Sequence, residues 1–310
     1  MKEEMANDTE LQEPELQAIA GEYDLTVVGS EPFEGGSASS SYLLHTEQGR
    51  YVLTIFEIAM DRVVKIGRLL LHLAEYEFPT TRLLTPARGG VATVVRGKPV
   101  LLKVYIPGRV RQDLDGAMLH QLGATMARLH HIPAPGFVPR QHAYGLHVFR
   151  TVIGHNIDPE YESWLAERLA HFEHNLSPDL PQGLIHGDLL WDNVLFEGRE
   201  FRAFLDFEDV CHYYSVFDLG MGIVGLCTEG ATVALDKVRA LVAGYQQVRA
   251  LGDREIEALQ LCTEYAAAAT SCWRFWKYRI DTPTPELADR HRQMMRLAQS
   301  VRAIPKAEFR

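Results

Sequence analysis

One short segment, LIHGDLLWDNVLF at positions 184–196, places a histidine, two aspartates and an asparagine between two apolar runs. The apolar residues on both sides have the composition of buried β-strands, so the polar residues fall on the loop that joins them. Polar groups beside a core cost free energy unless they are hydrogen-bonded or bind a ligand. His186, Asp188 and Asn193 are therefore candidate functional residues. Taken singly, each also has a structural interpretation, such as a loop cap for Asp188 or a turn residue for Asn193.

A second carboxylate follows at the end of the next apolar strand, in FRAFLDFEDV. The pattern predicts a hairpin of strands at 194–196 and 201–206. Such a hairpin would bring Asp206 to the same edge as Asp188 and Asn193. Two carboxylates and an amide oxygen are hard-oxygen ligands of the kind that Mg²⁺ prefers, together with water and phosphate oxygens. Phosphoryl transfer needs such ligands and an aspartate that deprotonates the attacking hydroxyl.

The composition bounds the classes of protein to consider. The chain has 310 residues, of which 46% are hydrophobic and 23% charged, as in ordinary globular proteins. The net charge of −10 argues against nucleic acid or an anionic membrane as the main partner, since either would call for a basic face. We expect one large domain or two lobes.

The N-terminus and the cysteines suggest a cytosolic protein. The first residues, MKEEMANDTELQEPEL, are too acidic for a signal peptide, and the longest apolar stretches are shorter than a membrane span. Cys211, Cys227, Cys262 and Cys272 show neither metal-like CxxC spacing nor a disulfide framework. We expect them to be reduced thiols in the core.

The secondary-structure pattern changes along the chain at a Pro-Gly hinge. Residues 1–18 are expected to be a polar lead-in, and residues 19–107 carry mostly strand signals with one helix at about 60–77. Helices dominate residues 108–310, including predicted helices at 116–132 and 159–176 and a C-terminal set from about residue 235. The chain therefore has the pattern of an α+β protein with a β-rich lobe before a mainly helical one.

The run EGGSASSS at 34–41 lies between two strand signals. Exposed N–H groups in such a turn can cover nucleotide phosphates, which makes Gly35, Gly36, Ser37 and Ser39 candidate nucleotide contacts. The run lacks the G-x-G-x-x-G form, and a flexible hairpin tip is the alternative.

Several motifs together resemble one superfamily. His186-x-Asp188-x4-Asn193, followed by Leu205-Asp206-Phe207, resembles the catalytic and metal-binding loops of the aminoglycoside phosphotransferase and choline kinase superfamily, a relative of protein kinases. LGATMARLHHI is similar to a helix of that superfamily, and VFDLG supplies a later aspartate, Asp218. The runs YLLHT, VLTIFE and HGDLLWDNV resemble the branch that contains type II homoserine kinases.

The resemblance implies a bilobal protein-kinase-like fold, with an antiparallel sheet and one helix in the N-lobe and a larger, mainly helical C-lobe. It implies that ATP binds with Mg²⁺ in the cleft and that phosphate passes to a small-molecule hydroxyl. The roles it implies are those of catalytic base for Asp188, metal ligands for Asn193 and Asp206, structural support for His186 and Asp218, and backbone contacts to adenine for Val104 and Ile106.

The sequence departs from the superfamily at one position. Most members carry a phosphate-binding lysine in the strand YVLTIFE, where Thr54 stands here. Lys65 and Arg68 on the next helix, or Lys103 beside the hinge, are candidate replacements, although each could also be a solvated surface charge. The missing lysine keeps open a protein of another class, a nucleotide-binding pseudokinase.

The sequence is compatible with several acceptors, of which homoserine is the first. Homoserine carries a carboxylate that needs a fixed cation, and the run CWRFWKYRI at 272–280 offers Arg274, with His212 as a second polar contact. The same run could instead be an amphipathic helix with packed aromatic residues. Hydroxylysine, a choline- or ethanolamine-type amino-alcohol and an aminoglycoside are alternative acceptors. The oligomeric state is left open.

Overall fold

The computed structural model describes residues 10–33 and 39–309. The chain divides into two compact units, of which the first runs to Gly108 and includes Arg202–Leu205, and the second comprises Arg109–Phe201 and the chain from Asp206 onward. The sequence pattern predicts residues 202–205 in the mainly helical C-lobe. They belong to the first unit because the Phe204 N–H donates to the Pro79 carbonyl at 3.0 Å, and the Phe204 carbonyl accepts from the Thr80 hydroxyl at 2.8 Å.

The first unit is built on an antiparallel sheet. Its elements are α1 (Glu13–Gly21), β1 (Val27–Pro32), β2 (Ser39–Thr46), β3 (Gly49–Phe56), α2 (Met60–Glu75), β4 (Leu83–Leu84), β5 (Thr93–Val95) and β6 (Lys98–Val104). The strands lie in the order β1-β2-β3-β6-β4, and β5 also pairs with β6.

The two faces of this sheet pack against different helices. Neighbouring side chains in a strand point to opposite faces, and β6 shows this division. Leu102 belongs to the core cluster that contains Leu16 and Ile19 of α1. Leu101 belongs to the cluster that contains Val63 of α2. Each face of the sheet is therefore buried by one helix.

Helix α1 corrects the sequence prediction for residues 13–18, which had been assigned to the polar lead-in. Pro14 lies in its first turn, where a missing N–H costs nothing. The Glu15 carboxylate accepts the Gln12 N–H at 2.9 Å and so satisfies one donor at the helix start. The other face of the helix buries Leu16 and Ile19, and that burial stabilises it in spite of its polar composition.

The second unit is mainly helical. Its elements are β7 (Arg109–Val110), α3 (Gly116–His131), α4 (Leu146–Val152), α5 (Pro159–Asn175), β8 (Gln182–Ile185), β9 (Val194–Glu197), the first residues of β10 (Glu200–Phe204), β11 (Cys211–Tyr214), α6 (Ser215–Leu226), β12 (Thr228–Glu229), β13 (Thr232–Val233), α7 (Leu235–Val248), α8 (Asp253–Phe275) and α9 (His291–Ala303). Strand β8 pairs with β11, and a second small sheet has the order β10-β9-β7.

Helix α6 is the most buried element of this unit. Almost all of its residues are buried, and Asp218 is the charged residue among them. A helix that is apolar on all sides is expected in the centre of a core. The four cysteines are also buried, as free thiols. No helix among the described residues is long and apolar enough to cross a membrane.

The fold class predicted from the sequence is confirmed: an antiparallel sheet comes first and a larger, mainly helical part follows. The predicted helices at 60–77, 116–132 and 159–176 correspond to α2, α3 and α5 and differ from them by two residues or fewer at each end. Helical periodicity in the sequence was sufficient to locate them.

Candidate active site

The candidate catalytic loop follows β8 and ends in β9. Residues 186–190 leave the strand, a 3₁₀ turn covers Trp191–Asn193, and β9 begins at Val194. Strand β11 pairs with β8 so that Cys211 lies opposite Ile185. This pairing brings the segment from Asp206 to Val210 beside the start of the loop, because that segment leads directly into β11.

Asp218 holds the first residues of the loop. Its buried carboxylate accepts the His186 N–H at 3.1 Å and the Gly187 N–H at 2.8 Å, and it accepts from His130 Nε2 at 2.9 Å. Burial acts to raise the pKa of Asp218, but the hydrogen bond from His130 and the loop amides outweigh it, and the pKa is lowered. Asp218 is therefore an anion that binds backbone donors of the loop.

Asp188 is half-buried and surrounded by charge. Burial, followed by the charges of Asp209, Asp206 and Asp192, raises the pKa of Asp188 to about 8, whereas the charge of Arg274 acts to lower it. The Asp188 N–H points to His186 Nδ1 at 3.3 Å, so His186 supports the loop through its ring as well as its backbone. The carboxylates crowded around Asp188 create a site of strongly negative potential.

Asn193 and Asp206 are the predicted metal ligands. The Asn193 side-chain amide donates to the Asp188 carbonyl at 2.8 Å, which directs its oxygen atom away from that carbonyl. Asp206 is exposed and has a φ of 56°, in the left-handed region. Non-glycine residues in such a conformation cluster at functional sites. Within the described residues no three His, Cys, Asp or Glu side chains form a group that could hold a metal ion.

Three residues that the sequence analysis missed lie at this site. The His142 ring bonds to the Gly187 carbonyl, with Nε2 and oxygen 2.9 Å apart. The Tyr144 hydroxyl donates to Asp209 at 2.6 Å. Burial, followed by the charges of Asp188 and Asp209, raises the pKa of Tyr144, so it remains a neutral donor. Asp209 stands three residues after Asp206, and this spacing could have indicated it as a site residue. His142 and Tyr144 lie in RQHAYGLH at 140–147, which has no periodic pattern.

The two residues predicted to contact the acceptor, Arg274 and His212, lie on different elements. Arg274 lies near the end of α8 and bonds to Gln293 at 3.2 Å, and its charge acts on Asp188. Next to it, the Trp273 ring lies 5.9 Å from the Tyr144 ring. His212 lies on β11, where its N–H donates to the Pro139 carbonyl. Its Nδ1 is buried and has no hydrogen-bond partner among the described residues.

The predicted nucleotide contacts lie in the first unit. Gly35, Gly36 and Ser37 fall outside the described residues, whereas Ser39 begins β2 opposite Phe56 of β3. The Val104 N–H donates to the Arg82 carbonyl at 2.8 Å. Val104 can therefore offer an adenine its carbonyl but not its amide.

One candidate for the missing phosphate-binding cation lies on the same sheet face as Thr54. Thr54 pairs with Leu101, and Lys103 follows two residues later on β6. Lys103 is half-buried, with its Nζ 6.0 Å from the centre of the Phe56 ring. Lys65 and Arg68 lie on exposed positions of α2. Lys103 is therefore a better candidate than Lys65 or Arg68 to replace the absent lysine.

Comparison with known proteins identifies a family. Residues 30–251 match the phosphotransferase enzyme family (APH). A homoserine kinase from Chelativorans sp. (strain BNC1) is 30% identical over 273 residues, which cover 85% of each chain. A homoserine kinase from Sinorhizobium fredii is 27% identical over 286 residues, or 89% of this chain and 86% of the relative.

A solved structure shares the fold. The amicoumacin kinase hAmiN, in complex with AMP-PNP, Ca²⁺ and Ami, superposes with a TM-score of 0.73 at 16% identity, covering 97% of this chain and 98% of that chain. The resemblance inferred from the sequence motifs is confirmed by these matches.

Proposed function

The chain belongs to the phosphotransferase enzyme family, and from this membership we propose that it is an ATP-dependent kinase that phosphorylates the hydroxyl group of homoserine. It is a phosphotransferase with an alcohol group as the acceptor. The observation that carries the proposal is the geometry of the loop at 186–193. In this loop the Asn193 side-chain amide donates to the Asp188 carbonyl, and the charge of Asp206 acts on the Asp188 carboxylate.

The proposed reaction uses Asp188 as the base. Its carboxylate takes the proton of the acceptor hydroxyl as the hydroxyl oxygen forms a bond to the γ-phosphorus of ATP. The bond from that phosphorus to the bridging oxygen of ADP breaks, and the products are a phosphate ester and ADP. The proton then leaves Asp188 for solvent. Positioning of Asp188 by its loop is the part of this reaction that the protein supplies.

Asn193 and Asp206 would hold the divalent cation, which we propose is Mg²⁺. Both offer hard oxygen atoms, and both leave most of the coordination to phosphates and water, as Mg²⁺ prefers. Burial, followed by the charges of Asp209, Asp206 and Asp192, raises the pKa of Asp188, and a cation nearby would favour its ionised form. When bound, the cation neutralises charge on the nucleotide phosphates.

For the nucleotide, we propose contacts from the first unit. The Val104 carbonyl, at the end of β6, would accept from the adenine amino group, and the Ile106 amide, two residues later, would donate to a ring nitrogen. Gly35, Gly36, Ser37 and Ser39 would contact the phosphates. Lys103 would supply the cation that Thr54 cannot.

For the acceptor, the charges around Asp188 favour a zwitterion. Arg274 can bind a carboxylate, and the Asp209 carboxylate can bind an ammonium group, with the Trp273 ring beside Tyr144 as an apolar wall. An amino acid with a side-chain hydroxyl carries all three groups. Homoserine is our choice because the two sequence relatives described above are homoserine kinases. Hydroxylysine has the same groups.

The test is an ADP-release assay with a panel of acceptors: homoserine, hydroxylysine, ethanolamine, choline and an aminoglycoside. We expect homoserine to give the highest kcat/KM, and Asp188→Asn to abolish the acceptor-dependent release. A preference for ethanolamine or choline would contradict the zwitterion site. Nucleotide binding without release for any acceptor would favour the pseudokinase, which Thr54 at the lysine position first suggested.

A further inference from the structure

His142 occupies a buried position with both ring nitrogens bonded to backbone groups. Its Nδ1 accepts the Tyr144 N–H at 3.1 Å, and its Nε2 lies 2.9 Å from the Gly187 carbonyl oxygen. A backbone N–H can only donate and a carbonyl can only accept. The ring therefore carries its proton on Nε2 and donates it to Gly187. Burial lowers the pKa of His142, which keeps the ring in this neutral form.

The carbonyl that His142 holds belongs to the peptide plane directly before Asp188. The opposite end of that plane is the Asp188 N–H, which points to His186 Nδ1 at 3.3 Å. A peptide group is rigid and planar. Two imidazoles thus hold the plane at both of its polar atoms, and its orientation sets the direction in which the Asp188 side chain leaves the backbone.

The space around Gly187 leaves this plane little freedom. Gly187 has a φ of 85°, and a Cβ atom there would lie 2.7 Å from the Asp209 carbonyl oxygen and 2.9 Å from His142 Nε2. Its N–H is bonded to Asp218 at 2.8 Å. Glycine is required here by both the backbone conformation and the close approach of the ring.

Aromatic rings prevent the imidazole from turning. The His142 ring centre lies 4.8 Å from Phe217, 5.1 Å from Tyr144 and 6.1 Å from Tyr213. The contact with Tyr144 also joins the ring to Asp209, since the Tyr144 hydroxyl donates to that carboxylate. One short segment therefore contacts both the catalytic loop and a carboxylate beside Asp188.

We propose that His142 is a positioning residue for Asp188, which acts by fixing the Gly187–Asp188 peptide plane through its Nε2–H. The proposal rests on the proposed function in that Asp188 is taken as the base. The His142 ring is buried and both of its nitrogens are bonded to backbone groups, so we expect it to contact neither substrate directly. Its loss should therefore lower the rate of phosphoryl transfer and leave ATP binding unchanged.

Three substitutions separate the hydrogen bond from the packing. His142→Gln keeps an N–H near the position of Nε2, His142→Asn keeps polar atoms only near Nδ1, and His142→Phe keeps the ring without either bond. We expect kcat to fall about 10- to 100-fold in the Phe and Asn variants and much less in the Gln variant, with the KM for ATP unchanged. His147→Gln is the matched control, because His147 is exposed and five residues away.

Hydrogen exchange of the loop gives a readout that needs neither ATP nor acceptor. The amides of residues 186–188 should exchange faster in His142→Phe and His142→Asn than in His142→Gln, the control variant and the wild type. Unchanged exchange, or a Phe variant that keeps most of the wild-type kcat, would overturn the proposal.

A parallel loss of melting temperature and kcat in all three variants would make His142 a packing residue and would also overturn it. If the wild type releases no ADP with any acceptor, the proposed function fails, and the order of exchange rates alone then decides the role of His142.

Discussion

Replacing Asp218 by asparagine removes the anion that holds the candidate catalytic loop. The wild-type carboxylate accepts three hydrogen bonds, from His130, His186 and Gly187. Asparagine has one acceptor oxygen, and its amide nitrogen would face groups that are themselves donors. At least one buried loop amide would then have no acceptor. We therefore expect Asp218→Asn to loosen the loop and destabilise the fold.

The size of the loss follows from these contacts. A buried donor left without an acceptor costs about 1–3 kcal/mol, and more where the lost bond was to a charged group, whereas the free energy of unfolding of a domain is about 5–15 kcal/mol. The variant should fold but should be clearly less stable. Asp179→Asn is the control, because Asp179 is exposed and its bond to Arg254, at 3.4 Å, is a surface pair worth no more than about 1 kcal/mol.

The effect should depend on pH with a defined sign. The pKa of Asp218 is lowered in the folded state. Its carboxylate therefore contributes its full stability above the unfolded-state pKa of about 3.9. That contribution is lost as the pH falls through the folded-state pKa. Urea unfolding should therefore show the largest difference between wild type and Asp218→Asn at neutral pH and a smaller one below about pH 4. A difference that is independent of pH, or as small as that of Asp179→Asn, would refute this reasoning.

Five further substitutions test the proposed roles directly. Asp188→Ala should lower kcat about 10²- to 10⁴-fold with near-normal nucleotide binding; a variant that keeps most of its turnover would exclude Asp188 as the base. Asp206→Asn and Asn193→Ala should each weaken divalent-cation-dependent nucleotide binding in calorimetric titrations, because each change weakens or removes an oxygen ligand, and unchanged metal dependence in both would contradict the assignment. Lys103→Met should raise the KM for ATP and leave the KM for the acceptor unchanged. An ATP KM equal to that of the wild type would mean that another residue supplies the cation. Arg274→Ala should raise the KM for homoserine at least about tenfold, or about 1.4 kcal/mol. The KM for ethanolamine, which lacks the carboxylate, should not change.

Sequence patterns located the elements whose signal is local. Helices α2, α3 and α5 show apolar residues at helical spacing over four or more turns, and their ends could be placed to within two residues. The loop from His186 to Asn193 was found because its polar residues interrupt two strands. The sequence analysis missed the short helix α1, because its three buried residues, in an acidic stretch, give only a weak helical period.

Contacts between distant positions in the chain could not be predicted in this way. The bond between His142 and Gly187 joins residues 45 positions apart, and that between Tyr144 and Asp209 joins residues 65 apart. Neither the residue type nor the sequence position of His142 or Tyr144 indicates which residue it contacts. The same holds for Phe204, whose bonds to residues 79 and 80 place it in the first unit. Tertiary packing alone determines these neighbours.

The loop is also connected to the protein interior through a directed chain of hydrogen bonds. Arg249 can only donate, and its Nη1 lies 3.0 Å from the Tyr245 hydroxyl oxygen. That hydroxyl then donates to His130 Nδ1 at 2.7 Å, and His130 Nε2–H donates to Asp218 at 2.9 Å. Each group polarises the next in the same direction, which strengthens the chain and stabilises the negative charge at its end. The charge on Asp218 in turn holds the His186 amide. Helices α3, α6 and α7 therefore fix the loop that presents Asp188 through their polar contacts as well as their packing.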